Sequence, residues 1–166
     1  MGVGLMCLLP VENTMAFFDS MKVNLFSDMQ GIVTMNGNPV SDAVVKRLAT
    51  PASNKQFTDS FVTKADGRFQ FDRMETNSFL KILPGDSSVY QKITIEYNGQ
   101  SYLAWEILAA SDRYKGELND RDVIGTDKQV DINLVCELTA KSTQKEAAGI
   151  SVVSGICTWT NAIIIE

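Results

Sequence analysis

Three dipeptides, Asn36-Gly37, Asp66-Gly67 and Asn98-Gly99, each stand between short runs in which apolar and polar residues alternate. Asn, Asp and Gly tolerate the positive φ that tight hairpin turns impose, and alternation with period two gives a strand one core face and one wet face. A chain punctuated in this way folds as a series of hairpins. The cleanest is Tyr90-Gln-Lys-Ile-Thr-Ile-Glu-Tyr97, turned at Asn98-Gly99 into a partner strand over residues 101–108. Residues 31–35 and 43–48 flank the first turn, with Ala43 and Val45 on one face, Val44 on the other, and Pro39 at a position where no ladder N–H is needed. Residues 61–64 and 68–71 are expected to pair around Asp66-Gly67, and the spacing of Phe69 and Phe71 marks them as core. Residues 130–138 alternate as a further strand, and the Val-Asn-Leu of residues 23–25 suits a strand added to a sheet edge.

The elements Gly31-Ile-Val33, Gly37-Asn-Pro-Val40, Ala43-Val-Val45 and Thr63-Lys-Ala-Asp-Gly-Arg-Phe-Gln-Phe71 together resemble the carboxypeptidase-regulatory-like domain, a small prealbumin-type β-sandwich. The resemblance implies an all-β, prealbumin-like or immunoglobulin-like antiparallel sandwich of about seven to nine strands. From Val23 to Cys157 the chain also resembles a bacterial family of small uncharacterised single-domain proteins, through Val23-Asn-Leu-Phe-Ser27, Ile93-Thr-Ile-Glu-Tyr-Asn-Gly-Gln-Ser-Tyr-Leu-Ala-Trp105, Ile132-Asn-Leu-Val-Cys-Glu-Leu138 and Gly155-Ile-Cys157. The expected organisation is an extension over residues 1–21, the sandwich over 22–138, and a segment over 139–166 that packs back on it.

Between the strands, residues 50–60 are polar and read as a surface loop. Residues 76–88 read as a short strand or a hydrophobic loop, 139–148 as a polar stretch with room for a helical turn, and 150–165 as a strand pair bent at Ser154-Gly155 or Thr160-Asn161. Residues 111–128 form a second irregular stretch rich in acid.

Composition removes several chemistries. There is no histidine, so Ser-His-Asp and Cys-His catalysis and His-ligated zinc are excluded. Ureide hydrolases of prealbumin-like fold work through histidines, so a shared sandwich would not bring their reaction with it. The net charge of −5 and the lack of a basic stripe disfavour nucleic acid. No segment reaches the roughly 18–20 apolar residues that span a bilayer. Residues 1–10 are apolar, but no Lys or Arg precedes Lys22, and Leu5-Met6-Cys7 lacks the small residue of a lipoprotein signal. They read as a short extension, with Met15 or Met21 as an alternative start, and the expected location is cytoplasmic.

The cysteines are Cys7, Cys136 and Cys157. An odd count leaves at least one thiol unpaired within a monomer. Cys136 and Cys157 either form a disulfide, which would suit the periplasm, or are two buried reduced thiols.

Other chemistry is weighed against plain structural roles. The acidic stretch offers oxygen ligands for Ca²⁺, but its spacing matches no EF-hand and basic residues interrupt it. Asp66 or Asp72 with Glu75, and Glu96 with Glu106 across the hairpin, are the acid–base pairs on offer. A Lys–Asn isopeptide bond, as in some adhesin sandwiches, would draw on Lys46 with Asn133 or Asn161. Tyr102, Trp105, Trp159 and Phe79 could form a sugar-stacking platform, although Trp105 between Leu103 and Ile107 suits the core better. The expected function is therefore non-catalytic protein binding, without cofactor or metal, as an immunity or adaptor protein that meets a basic toxin or effector. Its contacts are expected at Asp112, Tyr114, Glu117, Asp120 and Asp122 and in residues 50–60. A structural or carbohydrate-binding module is the alternative.

Overall fold

The structure is a computed structural model, and it describes residues 22–51, 54–77, 89–109, 132–147 and 151–160. Within them lie thirteen strands and no helix. These are β1 (Lys22–Phe26), β2 (Met29–Met35), β3 (Asn38–Pro39), β4 (Val44–Pro51), β5 (Phe57–Val62), β6 (Arg68–Phe71), β7 (Met74–Asn77), β8 (Val89–Tyr97), β9 (Gln100–Ala109), β10 (Ile132–Glu137), β11 (Thr143–Ala147), β12 (Ser151–Gly155) and β13 (Cys157–Thr160). One sheet has the order β11-β12-β9-β8-β4-β5; a second runs β13-β10-β2-β3 with β6 also beside β2; β1 and β7 form a two-stranded ribbon. The chain is the all-β, layered sandwich that its alternation implies.

Two turns have the paired positive φ expected of two-residue hairpins, Asn36 (52°) with Gly37 (77°) and Asn98 (49°) with Gly99 (74°). Asp66-Gly67 behaves differently. Positive φ is confined to Gly67 (75°), whose N–H donates to the Lys64 carbonyl at 2.8 Å. The strands on either side of this loop do not form the expected hairpin, because β5 pairs with β4 and β6 with β2. The loop carries the chain from one sheet to the other.

The C-terminal part departs from expectation in the same way. Residues 143–147 are strand rather than a helical turn, and β12 and β13, adjacent in sequence, do not pair with each other. β12 joins β9 at Ser154↔Glu106, while β13 lies antiparallel to β10 in the opposite sheet. The crossing is made at Gly155 and Ile156. β9 carries a bulge there: Ile93 faces Trp105 and Thr94 faces Leu103, which leaves Ala104 as the extra residue. Ile156 N–H donates to the Leu103 carbonyl at 3.0 Å. Gly155 has φ 149°, and a Cβ on it would lie 2.1 Å from the Ala104 carbonyl oxygen, so only glycine fits the crossing.

The pairing is antiparallel except between β10 and β2, which run parallel from Ile132↔Met29 to Glu137↔Thr34. β1 does not extend a main sheet edge as expected; it pairs with β7. The core lies between the two main sheets. Val45, Ile93, Ile95 and Trp105 of the six-stranded sheet and Val33, Phe69, Phe71 and Leu134 of the five-stranded sheet are all buried. Trp105 of the six-stranded sheet meets Trp159 of the five-stranded sheet edge to face, with ring centroids 5.4 Å apart.

Candidate functional site

The five residues expected to meet a partner, Asp112, Tyr114, Glu117, Asp120 and Asp122, lie outside the described residues, as do Cys7, Phe79 and Asn161. The other expected contact segment is mostly strand. Thr50 and Pro51 end β4, and residues 57–60 belong to β5. The polar composition of Thr-Asp-Ser hid a period-two pattern in which Phe57, Asp59 and Phe61 turn inward and Thr58, Ser60 and Val62 turn out.

Asp59 turns inward because a cation waits there. Arg47 is 1% exposed, and its guanidinium donates through Nε and Nη2 to the two Asp59 carboxylate oxygens at 3.0 and 2.6 Å. Nη2 also donates to the Asp72 carbonyl at 2.8 Å, and the group stacks on Phe71 (4.2 Å) and Phe26 (5.1 Å). A buried charge is tolerated only when paired and hydrogen-bonded, and here planarity allows the fork and the ring contacts together. This assembly ties β4 and β5 to the other sheet and is structural.

The opposite face of the same strands is open. Lys46, Leu48, Thr58, Ser60, Lys92 and Thr94 all lie on the outer side of β4, β5 and β8, where, with Gln56, they line a concavity of about 630 Å³. Lys46 pairs with Glu96 at 2.6 Å, both side chains about half exposed. Lys92 lies opposite Glu106 on β9, but Glu106 accepts the Tyr90 hydroxyl, and Lys92 has no hydrogen bond or ion pair among the described residues. Burial, then the hydrogen bond to Glu106 and its charge, push the Tyr90 hydroxyl up to about 12.

The expected pair Glu96 with Glu106 does not form, and Asp66 and Glu75 are each engaged by an arginine. Glu96 faces Ser101 and Glu106 faces Lys92, so the two carboxylates are not cross-strand neighbours. Asp66 pairs with Arg68, and Glu75 with Arg73. Lys46 and Asn133 are on different sheets, Asn133 accepting from Gln30 at 2.7 Å, which rules that pair out for an isopeptide. Trp105 is fully buried, so the aromatic platform is not assembled. Among the described residues no group of three or more Cys, Asp and Glu could hold a metal ion, and no helix is long and apolar enough to cross a membrane.

The five-stranded sheet is secured by two devices. Cys136 and Cys157 face each other across β10 and β13, with Cα atoms 4.1 Å apart, and are joined by a disulfide. Of the two arrangements left open by the sequence, the structure has the one in which the two sulfurs stand at disulfide distance. At the end of β10, Glu137 accepts the amides of Asn36 (2.8 Å), Gly37 (3.0 Å) and Thr139 (3.1 Å) and the hydroxyls of Thr34 (2.9 Å) and Thr139. These donors, the Thr139 hydroxyl first and the Gly37 amide next, hold its carboxyl down to about 2. It clasps the Asn36-Gly37 turn, a role nothing in its local sequence signals.

No curated protein and no solved structure matches the chain. Residues 29–141, which open on β2 and close after β10, match the family described as a domain of unknown function, DUF6795; that span exceeds half of the chain, and the protein belongs to this family.

Proposed function

We propose that the protein is a non-catalytic, protein-binding β-sandwich of prealbumin-like type that serves as an immunity or adaptor partner in a bacterial competition or secretion system. The observation that carries this reading is the outer face of the six-stranded sheet, where a concavity that mixes Lys, Thr, Ser and Gln side chains with apolar surface lies beside an edge strand. Surfaces with apolar area rimmed by polar groups, and exposed strand edges, are places where proteins dock. Of the carboxylates that sequence offered for acid–base work, Asp66, Glu75, Glu96 and Glu106 are engaged by Arg, Lys or Tyr, which favours recognition over catalysis. The disulfide supports an oxidising compartment such as the periplasm.

The acidic residues Asp112, Glu117, Asp120 and Asp122, with Tyr114, would supply long-range attraction to a basic partner. The test is a pull-down with the full chain at low and moderate salt, followed by mass spectrometry. A stoichiometric, salt-sensitive partner is expected. A clean preparation that retains no specific protein but binds glycans would replace this reading with the carbohydrate-binding one. Neutralising the four acids together should slow association about tenfold.

A further inference from the structure

Hydrogen-bond parity across the six-stranded sheet fixes which backbone groups of β5 are free. Tyr97 and Gln100 close a two-residue hairpin, so they form a hydrogen-bonded pair, and odd-numbered residues of β8 bond to β9. Even-numbered residues of β8 then bond to β4, and odd-numbered residues of β4 bond to β5. The far end agrees: Thr63 N–H donates to the Ala43 carbonyl at 2.9 Å. Phe57, Asp59 and Phe61 are therefore spent on β4, while Thr58, Ser60 and Val62 direct their N–H and C=O groups to the open side. β5 is the last strand of the sheet, and no other described strand pairs with it.

Sheet edges are usually blunted by proline, outward lysine or a bulge. β5 has none of these: it reads Phe-Thr-Asp-Ser-Phe-Val, pairs with β4 without a register shift, and its one charge is turned inward to Arg47. Its edge is a template for one more strand. Two ammonium groups lie beside the edge in a chain of net charge −5, Lys46 sharing its charge with half-exposed Glu96 and Lys92 standing opposite a Glu106 that accepts the Tyr90 hydroxyl. The concavity brings together Lys46 and Lys92, the latter without a partner among the described residues, and the Asp59 in its lining is neutralised by Arg47. A strand added to β5 would run about 10 Å from β4 and about 14 Å from β8 at ordinary strand spacing. Outward Glu or Asp side chains from it approach the Lys46 ammonium readily and that of Lys92 at full reach, across Thr58 and Leu48.

From this we infer that β5 receives an extended acidic peptide of a protein partner, which adds as a strand to the Thr58–Ser60–Val62 edge and places alternate carboxylates in the Lys46–Lys92 concavity. The inference rests on the protein-binding reading and names the chemistry of one ligand. It is a short-range site for an anionic segment, separate from the acidic residues that would attract a basic partner.

The experiment uses the full-length oxidised protein and labelled, end-blocked peptides of about nine residues. One alternates glutamate and valine, a second lysine and valine, and a third is the acidic peptide with proline at a central position; affinity is read by fluorescence anisotropy. The acidic peptide should bind, and the basic and proline-bearing peptides should bind at least about tenfold more weakly. Ser60→Pro removes an N–H that faces the open edge, where proline is tolerated, and should abolish binding while circular dichroism and melting stay close to the parent. Lys92→Gln, an outward surface change, should weaken binding about threefold to tenfold and flatten its salt dependence.

Equal binding of the acidic and basic peptides, or none of the acidic one, overturns the inference. A concentration-dependent dimer that Ser60→Pro returns to monomer also overturns it, with a second copy as the occupant of the edge. Failure with the peptides while the pull-down partner is still retained by Ser60→Pro would sink this site alone. Loss of any protein partner would sink the reading beneath it.

Discussion

The two main sheets share one core but are finished differently. The five-stranded sheet is bound by a covalent bridge from β10 to β13, a parallel pairing of β10 with β2, and a carboxylate that gathers donors around the Asn36-Gly37 turn. The six-stranded sheet has a broad outer face with half-exposed pairs and, among the described residues, an unpaired edge at β5 and an ammonium with no partner. Restraint gathered on one layer leaves the other free to present a surface, because the opposing core holds the second sheet in shape from behind. The point of exchange is Arg47, which belongs to the open sheet yet reaches the closed one.

Breaking that exchange should have the largest effect. Arg47→Ala removes the partner of the part-exposed Asp59 and empties the space against Phe71 and Phe26; it should cost about 3 kcal/mol, most of it from the lost packing, measured by urea unfolding. Arg47→Lys, which keeps the charge but loses the fork, should recover only part of this. The joint Cys136→Ser, Cys157→Ser variant should lose about 3 kcal/mol, given the 21-residue separation of the two cysteines. Hydrogen exchange should place the loosening at β13 and β10 and leave the β8–β9 hairpin protected; equal loss in both sheets would erase the distinction between them.

Smaller effects sharpen the comparison through pH. Glu137 has a folded pKa of about 2, below its ordinary 4.5, so its contribution is present above about pH 5 and fades as pH falls toward 2. Glu137→Gln should flatten that acid limb. Tyr90 has the opposite sense. Its pKa of about 12 lies above the ordinary 10.0, so its contribution is full below pH 10 and is lost as pH rises through 12. Tyr90→Phe should remove that alkaline loss, read as a melting curve against pH. Least of all, Lys46→Ala should change stability by no more than about 0.5 kcal/mol, because its partner pair is half exposed.

Much of this architecture was legible in sequence because it is local. Asn98-Gly99 with its alternating flanks became β8 and β9, Phe69 and Phe71 became core, and Ala43 and Val45 turned inward as their spacing implied. What escaped is long-range or inverted in polarity. Arg47 and Asp59 occupy inward positions that a hydrophobic pattern reserves for apolar residues, and so β5 looked like a loop. The parallel partnership of β10 with β2 joins residues 103 apart in sequence, and no turn dipeptide announces it. β12 and β13 looked like a pair because nothing in Ser-Gly-Ile distinguishes a hairpin from a crossing until the Ala104 bulge is known. The candidate site shares this limit, since its cationic lining is drawn from strands far apart along the chain.

The parallel pairing also sets the order in which the protein can be completed. β2 is made early, but the strand that flanks it on one side is made some hundred residues later, and the residue that locks that strand is Cys157. A nascent chain emerging from a ribosome therefore cannot finish its five-stranded layer until nearly all of the described sequence has been made. Closure of this layer is a late event, with the long-range pairing made only after the local hairpins of the other sheet can form.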